Sequence, residues 1–244
     1  MPCYNVAKWV GLNIQLTKHQ SFPNFECHII NDGSTDSSEE IILENIKNDN
    51  RFFYYKNEVN TGSSLYSYYK TFHQVNSNDE DIIVWLDGDD WFSSVFVLQY
   101  LDQFYNSTKC WMTYGTYQTF PSGQDGSHHC IEIPNEIHQS NAYRKWVHVY
   151  SHLRTHKAFL FKQLKEKDLI DSRSGEFYTE ATDCAYLFSL AEMCGSSEKI
   201  KLIDDILLTL NRTNPNQAAG NLEKQKDTEA HIRSLQPFNK IQNG

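Results

Sequence analysis

The sequence predicts an α/β fold in which a mostly parallel sheet is flanked by helices. Short apolar runs alternate with helical patterns through the first half of the chain, an order typical of strands joined by helical crossovers. Polar motifs follow three of the strand-like runs, at residues 31–36, 60–62 and 87–90. Because ligands bind at the carboxyl ends of the strands in such sheets, these motifs predict the position of a ligand site.

The helix and strand patterns of the first half follow one another in a regular order. Val6, Val10 and Ile14 recur at helical spacing, which predicts a helix over roughly residues 6–20 with Asn5 as its N-cap. The remaining predicted elements are a strand at 25–30, a helix at 39–48, a strand at 51–55, a helix at 62–76 and a strand at 81–86. The last strand is a continuous apolar run, which predicts burial on both of its faces.

The second half is less regular, but it also contains helix and strand patterns. The predicted elements are a helix at 95–104, a strand at 110–120, a polar loop at 121–141, a strand at 200–210 and a helix near 222–234. Apolar residues behind Asp183 predict a further helix that Gly195 closes, with Asp183 in its first turn. His128 and His129 in the loop are candidate metal ligands, although adjacent histidines in a Gly/Ser-rich loop are more often solvated.

Composition limits the classes of function. The chain has 244 residues, enough for one large α/β domain, and 39% of them are hydrophobic. Its formal net charge of −9 argues against nucleic acid or an anionic membrane surface as a partner. The six cysteines are spread without a C-x-x-C pair, which predicts reduced, mostly buried thiols. No apolar run has the length of a transmembrane span and no signal peptide is recognisable, so we expect a cytoplasmic location.

The acidic segment Asp87-Gly88-Asp89-Asp90 is the strongest chemical signal in the sequence. Its three carboxylates arrive together directly after a strand that is predicted to be buried. Carboxylates this close repel one another, so the segment either binds a divalent cation or lies in water as a solvated turn. A short D-x-D motif alone does not decide between these two interpretations.

Three motifs in one order resemble the nucleotide-sugar half of a family 2 glycosyltransferase with the GT-A fold. They are Pro2-Cys3-Tyr4-Asn5, Asn31-Asp32-Gly33-Ser34-Thr35-Asp36 and Asp87-Gly88-Asp89-Asp90, and the resemblance extends through Asn60-Thr61-Gly62. Further on, Ser151-His152-Leu153-Arg154 resembles a subgroup of these enzymes. The resemblance implies a nucleotide-sugar-binding half at 1–120, an acceptor-binding half of the same domain at 121–215, and a polar, helical tail at 216–244.

The resemblance also implies a reaction and a donor site. Such enzymes transfer a sugar from a nucleotide-sugar, here expected to be a UDP-sugar, to a hydroxyl of a glycan, lipid-linked or protein acceptor. By position, the nucleotide-sugar contacts are Pro2, Tyr4, Asn5, Asp32, Asn60, Gly62, Asp87, Gly88 and Arg212. Tyr4 would stack on the base and Asp32 would hydrogen-bond to it, with a packing role under the first helix as the alternative for Tyr4.

A divalent metal is part of the same implication. Asp87 and Asp89 are the expected metal-site residues, with Asp89 the preferred ligand and Asp87 also assigned to the ribose. Mn²⁺ or Mg²⁺ is expected, because the ligands are hard oxygens. Arg212 follows the last predicted strand and could bind the diphosphate bidentately.

One carboxylate is expected to act as general base in a single inverting displacement. In the family it lies at the start of a helix, often within an E-D pair, and this chain has no such pair there. Asp183 fits the position best, and Glu180, three residues earlier, is the alternative. A third interpretation is that Asp183 only caps its helix.

The beginning of the sequence departs from the family pattern. Relatives have an apolar strand before the P-x-Y-N motif, whereas this sequence opens at Met1-Pro2. We therefore expect the usual first strand to be missing and two neighbouring strand edges to be exposed. Together with the absent E-D pair, this departure keeps a non-catalytic nucleotide- or glycan-binding module as the alternative function.

Overall fold

The predicted α/β class is confirmed by a computed structural model, which describes residues 1–126, 130–215 and 222–242. The strands are β1 (Pro2–Cys3), β2 (Cys27–Asp32), β3 (Phe52–Asn57), β4 (Ile82–Trp85), β5 (Trp91–Phe92), β6 (Met112–Phe120), β7 (Arg154–Lys157), β8 (Ile170–Asp171), β9 (Glu176–Phe177) and β10 (Ile200–Asn211). The α-helices are α1 (Val10–Lys18), α2 (Ser38–Ile46), α3 (Ser64–Gln74), α4 (Val97–Thr108), α5 (Asn135–Ser140), α6 (Ala158–Lys162), α7 (Thr182–Cys194) and α8 (Leu222–Ser234).

The strands form two larger sheets and one small antiparallel pair. β1, β2 and β3 pair in parallel in that order. The second sheet has the order β4-β7-β6-β10-β5, in which β6 and β10 run parallel and the other neighbours run antiparallel. The amide of Gly88 donates to the carbonyl of Pro2 over 3.0 Å, so the turn after β4 is joined to the end of β1.

The first sheet begins with a two-residue strand. Pro2 is in register with Ile30 of β2, and the Met1 ammonium group donates to the carbonyl of His28 over 2.7 Å. Farther along, residues of β2 and β4 line a cavity of about 560 Å³. All four residues of β4 are only half-buried. The prediction that this strand is buried on both faces is therefore wrong, because β4 borders this cavity.

Helix α1 is shorter than predicted, and Asn5 does not cap it. The N-cap position is occupied by Trp9, which makes no side-chain capping bond. Asn5 instead has a φ of 51°, and its Oδ1 accepts hydrogen bonds from the amides of Thr35 at 2.8 Å and Asp36 at 3.4 Å. The Asn5 side chain therefore joins the first sequence motif to the second.

Two apolar clusters hold the helices against the sheets. One contains Ile14 of α1 and Ile42 of α2, and the other contains Leu65 of α3 and Phe188 of α7. Every residue of α7 from position 184 to 194 is buried. A helix that is buried on all sides is a core element, so the residues of its first turn have fixed positions.

The remaining predictions concern the thiols, the loop and the membrane. All six cysteines are free and five are buried, as expected. The predicted loop at 121–141 contains the short helix α5, and His128 and His129 lie outside the described residues. In the ranges that the structure describes, we find no helix with the length and apolar character needed to cross a bilayer.

Candidate active site

A cavity of about 870 Å³ lies where the segments after β1, β2 and β4 come together. The segments after β1 and β2 converge because these two parallel strands end at one edge of their sheet, and the hydrogen bond from Gly88 to Pro2 joins the turn after β4 to them. Nine of the twelve predicted site residues line the cavity, namely Pro2, Tyr4, Asp32, Asn60, Gly62, Asp87, Asp89, Asp183 and Arg212. The motifs that are far apart in sequence therefore form one site.

The other three predicted residues do not line the cavity. Asn5 instead holds the loop at Thr35 and Asp36 through its side-chain oxygen. At Gly88, a Cβ atom would lie 2.5 Å from Cys3 Sγ and 3.0 Å from the carbonyl oxygen of Pro2, so only glycine lets the acidic turn approach β1 this closely. Glu180 lies before α7 and outside the cavity lining, and the structure thus brings Asp183, not Glu180, to the site.

Asp32 lies at the end of β2 and is held by several donors. Its carboxylate accepts hydrogen bonds from Asn57 Nδ2 at 2.6 Å and from the Thr61 hydroxyl at 2.9 Å. The next residue, Gly33, has a φ of +67°, and a Cβ atom there would lie 2.4 Å from the amide nitrogen of Asn60. The N-D-G and N-T-G loops therefore press against each other and form one wall of the cavity.

Tyr4 and Arg212 also border the cavity. Tyr4 is 38% exposed, so an aromatic ring is available beside the cavity for stacking. Arg212 follows β10, and its amide donates to the carbonyl of Phe120 over 2.9 Å. This backbone bond fixes the point at which Arg212 leaves the sheet.

The acidic turn places three carboxylates at the cavity. The amide of Asp90 donates to the carbonyl of Asp87 over 3.1 Å and closes the turn. The Asp90 carboxylate accepts a hydrogen bond from the amide of Asn211 at 2.8 Å, and the Asp89 carboxylate accepts one from Asn214 Nδ2 at 2.8 Å. The end of β10 and the residues after it therefore hold two of the three carboxylates in position.

Burial and mutual repulsion perturb these carboxyl groups. Burial, followed by the charge of Asp89, raises the pKa of Asp87 to about 6. Burial, followed by the charges of Asp87 and Asp89, raises the pKa of Asp90 to about 9. Holding three negative charges here thus costs free energy, and a divalent cation would offset that cost. The donor set contains hard carboxylate oxygens, which fit Mn²⁺ or Mg²⁺.

Asp183 lies in the first turn of α7, as predicted. Its Oδ2 accepts a hydrogen bond from Arg154 Nη2 at 3.1 Å and lies 3.8 Å from His148 Nε2, while its Oδ1 accepts one from the amide of Cys184 at 2.9 Å. Burial alone would raise the pKa of Asp183, but the charge of Arg154, assisted by His148, holds this pKa below its usual value. The carboxylate is therefore ionised at neutral pH and can accept a proton.

The sequence did not assign a role to the segment before β7 or to the first residue of that strand, although His148, His152 and Arg154 all line the cavity. β7 pairs antiparallel with β4, and Arg154 is in register with Trp85. The segment before β7 consequently runs beside the acidic turn after β4. The Ser151-His152-Leu153-Arg154 motif is visible in the sequence, but only the pairing of these two strands places it at the site.

The sheet, the acidic turn at its edge and the half-buried Asp183 carboxylate beside it define a glycosyltransferase of the GT-A type. The family model described as Glycosyl transferase family 2 matches residues 1–166, and the chain belongs to this family. The predicted family is thereby confirmed.

Two kinds of relatives agree with this assignment. "Glycosyltransferase GlyA" of Streptococcus pneumoniae serotype 4 is 31% identical over 97 residues, which are 40% of this chain and 13% of that protein. The crystal structure of S. aureus TarS superposes with a TM-score of 0.64 and 16% identity, covering 86% of this chain and 35% of TarS. Glucosyl-3-phosphoglycerate synthase from Mycobacterium tuberculosis gives a TM-score of 0.59 and 11% identity, covering 95% of this chain and 77% of that chain. These structural similarities confirm the GT-A fold.

Proposed function

We propose that this protein transfers a hexosyl group from a nucleotide-sugar, with UDP as the expected nucleotide, to a hydroxyl of a glycan, lipid-linked or protein acceptor. One observation carries the proposal: a single cavity is lined by Tyr4, Asp32, Asp87 and the ionised Asp183. Solved relatives lend support, because TarS has been crystallised with UDP-GlcNAc and glucosyl-3-phosphoglycerate synthase with Mn²⁺ and UDP.

In the proposed donor complex, the nucleoside binds between the first two motifs. Tyr4 stacks on the base, and Asp32 accepts a hydrogen bond from a base N–H group. Pro2, Asn60 and Gly62 surround the nucleoside, in keeping with their places around the cavity. Arg212 donates to the diphosphate, because a guanidinium group matches phosphate oxygens bidentately.

The proposed cation site is the acidic turn. Asp87 and Asp89 are the proposed ligands for Mn²⁺ or Mg²⁺, and Asp90 adds a third carboxylate to the same donor set. When bound, the cation supplies Lewis-acid stabilisation of the departing nucleoside diphosphate. The bonds from Asn211 and Asn214 to Asp90 and Asp89 hold the turn in place before the donor arrives.

The proposed chemical step is an inverting displacement with Asp183 as general base. Asp183 accepts the proton of the acceptor hydroxyl, the hydroxyl oxygen forms a bond to the anomeric carbon, and the bond from that carbon to the diphosphate oxygen breaks with its electron pair. Arg154 orients the Asp183 carboxylate through their 3.1 Å hydrogen bond. The arrangement favours an enzyme over a binding module, since a bound nucleotide alone does not require a positioned base.

Calorimetric titration with UDP, in the presence and absence of Mn²⁺, tests the donor site. We expect Mn²⁺-dependent binding that Asp87→Asn weakens by about tenfold or more, since it removes a charged ligand of the cation. Asp79→Asn is the matched control, because Asp79 lies in the exposed segment before β4 and outside the cavity lining. Binding of UDP that neither Mn²⁺ nor Asp87→Asn changes would refute the metal site.

The base is tested separately by Asp183→Asn. We expect this variant to bind UDP as the wild type does and to lose at least 100-fold in the rate of UDP release from a donor sugar, the usual scale for removing a general base. A wild-type protein that binds UDP but turns over no nucleotide-sugar with any acceptor class would support the binding-module alternative instead.

A further inference from the structure

The pairing of β4 with β7 places His152 opposite the acidic turn. The antiparallel register matches Trp85 with Arg154 and Val84 with Thr155. Asp87 and His152 lie two residues beyond the pair of Trp85 and Arg154, just past the ends of β4 and β7, and both line the cavity.

The side chains complete this arrangement. Asp87, Asp90 and His152 each offer one ligand atom, and these three atoms lie within 4.8 Å of one another. That separation is compatible with three ligands of one ion, since ligand distances of 2.0–2.2 Å put neighbouring ligand atoms about 3–4 Å apart. Two sequence segments that are more than sixty residues apart therefore contribute to one cluster.

His152 also has an unsatisfied ring nitrogen. Its Nδ1 is buried and, among the described residues, finds no hydrogen-bond partner. Buried polar atoms nearly always have a partner, so such an atom at a candidate site requires an explanation. The ring of Tyr117 packs edge-on against the imidazole, with 5.8 Å between the ring centres, and restricts its orientation. A fixed imidazole beside two carboxylates is a typical donor set for a divalent transition metal ion.

We propose that His152 is a further ligand of the divalent cation, added to the carboxylates of the acidic turn, of which those of Asp87 and Asp90 lie nearest to it. The inference rests on the proposed metal dependence and deepens it, because it turns an all-oxygen site into a mixed imidazole and carboxylate site. A nitrogen ligand favours Mn²⁺ over Mg²⁺, since Mg²⁺ prefers oxygen ligands and retains its water. His152 thereby becomes a determinant of which cation the site selects.

Electron spin echo spectroscopy of the full chain with Mn²⁺ alone tests this proposal without any turnover. We expect a ¹⁴N coupling to the bound Mn²⁺ that changes to a ¹⁵N coupling when the wild-type protein is produced with ¹⁵N-histidine. This labelling experiment needs no substitution, so it holds even if a variant fails to fold. We further expect His152→Gln to abolish the coupling and to weaken Mn²⁺ binding by about tenfold or more. His73→Gln, on the exposed end of α3, is the matched control and retains the coupling.

The outcomes separate this inference from the proposed function. Mn²⁺ that binds to the wild type without a histidine nitrogen coupling, or a coupling that persists in His152→Gln, overturns the role of His152 and leaves the carboxylate site intact. If no Mn²⁺ binds at millimolar concentration, with or without UDP, the metal dependence itself fails and the role of His152 fails with it.

Discussion

Arg154 Nη2 donates a hydrogen bond to Asp183 Oδ2 over 3.1 Å, and this contact joins the start of β7 to the start of α7 at the cavity. Arg154 is the first residue of β7 and Asp183 lies in the first turn of α7, so the start of a strand and the start of a helix fix the geometry of the proposed base. The same guanidinium charge lowers the pKa of Asp183 and opposes the rise in the pKa of Asp87 that burial and Asp89 cause. One arginine thus influences both the base and the acidic turn.

Arg154→Gln should raise the pKa of Asp183, because the burial that opposes ionisation would no longer be countered by the arginine charge. The base must be ionised to accept a proton, so the acidic limb of the rate profile should move to higher pH. The measurement is kcat/KM for nucleotide release against pH, with the donor sugar that the wild type uses.

The control for this shift is Arg51→Gln, which removes an arginine that pairs with Asp49 away from the cleft. Its profile should overlay that of the wild type. A loss of rate in Arg154→Gln with an unmoved acidic limb would mean that Arg154 supports the structure of the site and does not tune the base.

Gly88→Ala should destabilise the protein and weaken donor binding. The new Cβ atom would lie 2.5 Å from Cys3 Sγ and 3.0 Å from the Pro2 carbonyl oxygen, so β1 and the acidic turn must move apart. We expect a loss of about 1–3 kcal/mol in the free energy of unfolding, the usual cost of overpacking. Urea denaturation measures the stability, and titration with UDP and Mn²⁺ measures the site.

Gly123→Ala provides the comparison, because Gly123 also lies outside regular structure, has a φ of +68° and has open space around it. Its cost should be confined to the backbone strain of about 1–2 kcal/mol, and UDP binding should be unchanged. Adding Cys3→Ala to Gly88→Ala should recover part of the lost stability, since it removes the nearest atom. If Gly88→Ala and the wild type have equal stability and equal affinity for UDP, the acidic turn does not approach β1 as closely as described.

Arg144→Met should be strongly destabilising. The Arg144 guanidinium donates to both oxygens of Glu192, at 2.7 and 3.0 Å, and Glu192 is fully buried. Glu192 also accepts a hydrogen bond from the amide of Phe238, so the ion pair ties the C-terminal segment to α7. Removing one partner leaves a buried charge unpaired, and we expect a loss of about 3–5 kcal/mol by urea denaturation.

Lys56→Met is the matched control, since Lys56 pairs with Glu39 at the surface over 2.8 Å. This exposed pair should contribute little to stability, because water screens its charges. The double variant Arg144→Met/Glu192→Met should regain most of the stability that Arg144→Met loses, because no charge then remains buried. If Lys56→Met and Arg144→Met lower the free energy of unfolding by similar amounts, the buried pair does not stabilise the protein more than the surface pair does.

The sequence predicted those parts of the fold that depend on local patterns. The alternation of strands and helices up to β4 and the start of α7 before Asp183 follow from apolar spacing and from Gly195, which is in the left-handed conformation expected of a helix end. Asn5 was assigned to the wrong partner, because a short polar side chain caps a helix or a distant loop equally well, and only the tertiary structure decides which.

The candidate site was predictable where its residues lie in motifs with an implied role or, as for Asp183, at the start of a recognisable helix. Tyr4, Asp32 and Asp87 occur in motifs that resemble those of a known family. His152 and Arg154, in contrast, reach the cavity through the pairing of β7 with β4. This pairing joins segments about seventy residues apart and leaves no periodicity in either of them. The half-buried state of β4 was unpredictable for the same reason, since an apolar run does not report which neighbour lies beside it.

The stability of the protein should fall as the pH decreases from about 6.5 towards 4, because His156 is buried in its neutral form. Its Nε2 accepts a hydrogen bond from Trp85 Nε1 at 3.0 Å, its Nδ1 donates to the carbonyl of Lys157 at 3.0 Å, and burial lowers the pKa of His156 to about 4. Below pH 6.5, the ordinary pKa of a histidine, His156 of the unfolded chain takes up a proton that the folded protein excludes. Between pH 6.5 and about 4, the free energy of unfolding should therefore fall by about 3 kcal/mol, at about 1.4 kcal/mol per pH unit.

Urea denaturation at several pH values, with the wild type and His156→Gln, isolates this contribution from the other groups that titrate in the same range. His156→Gln should be less stable than the wild type at pH 7, since it disturbs the bond to Trp85, and it should lose less stability on acidification. His19→Gln, at the exposed end of α1, should follow the wild-type curve. If His156→Gln loses as much stability between pH 6.5 and 4 as the wild type does, proton exclusion by His156 does not govern the acid sensitivity. A direct check is the NMR titration of the His156 ring, which should show no protonation above about pH 5 while the protein remains folded.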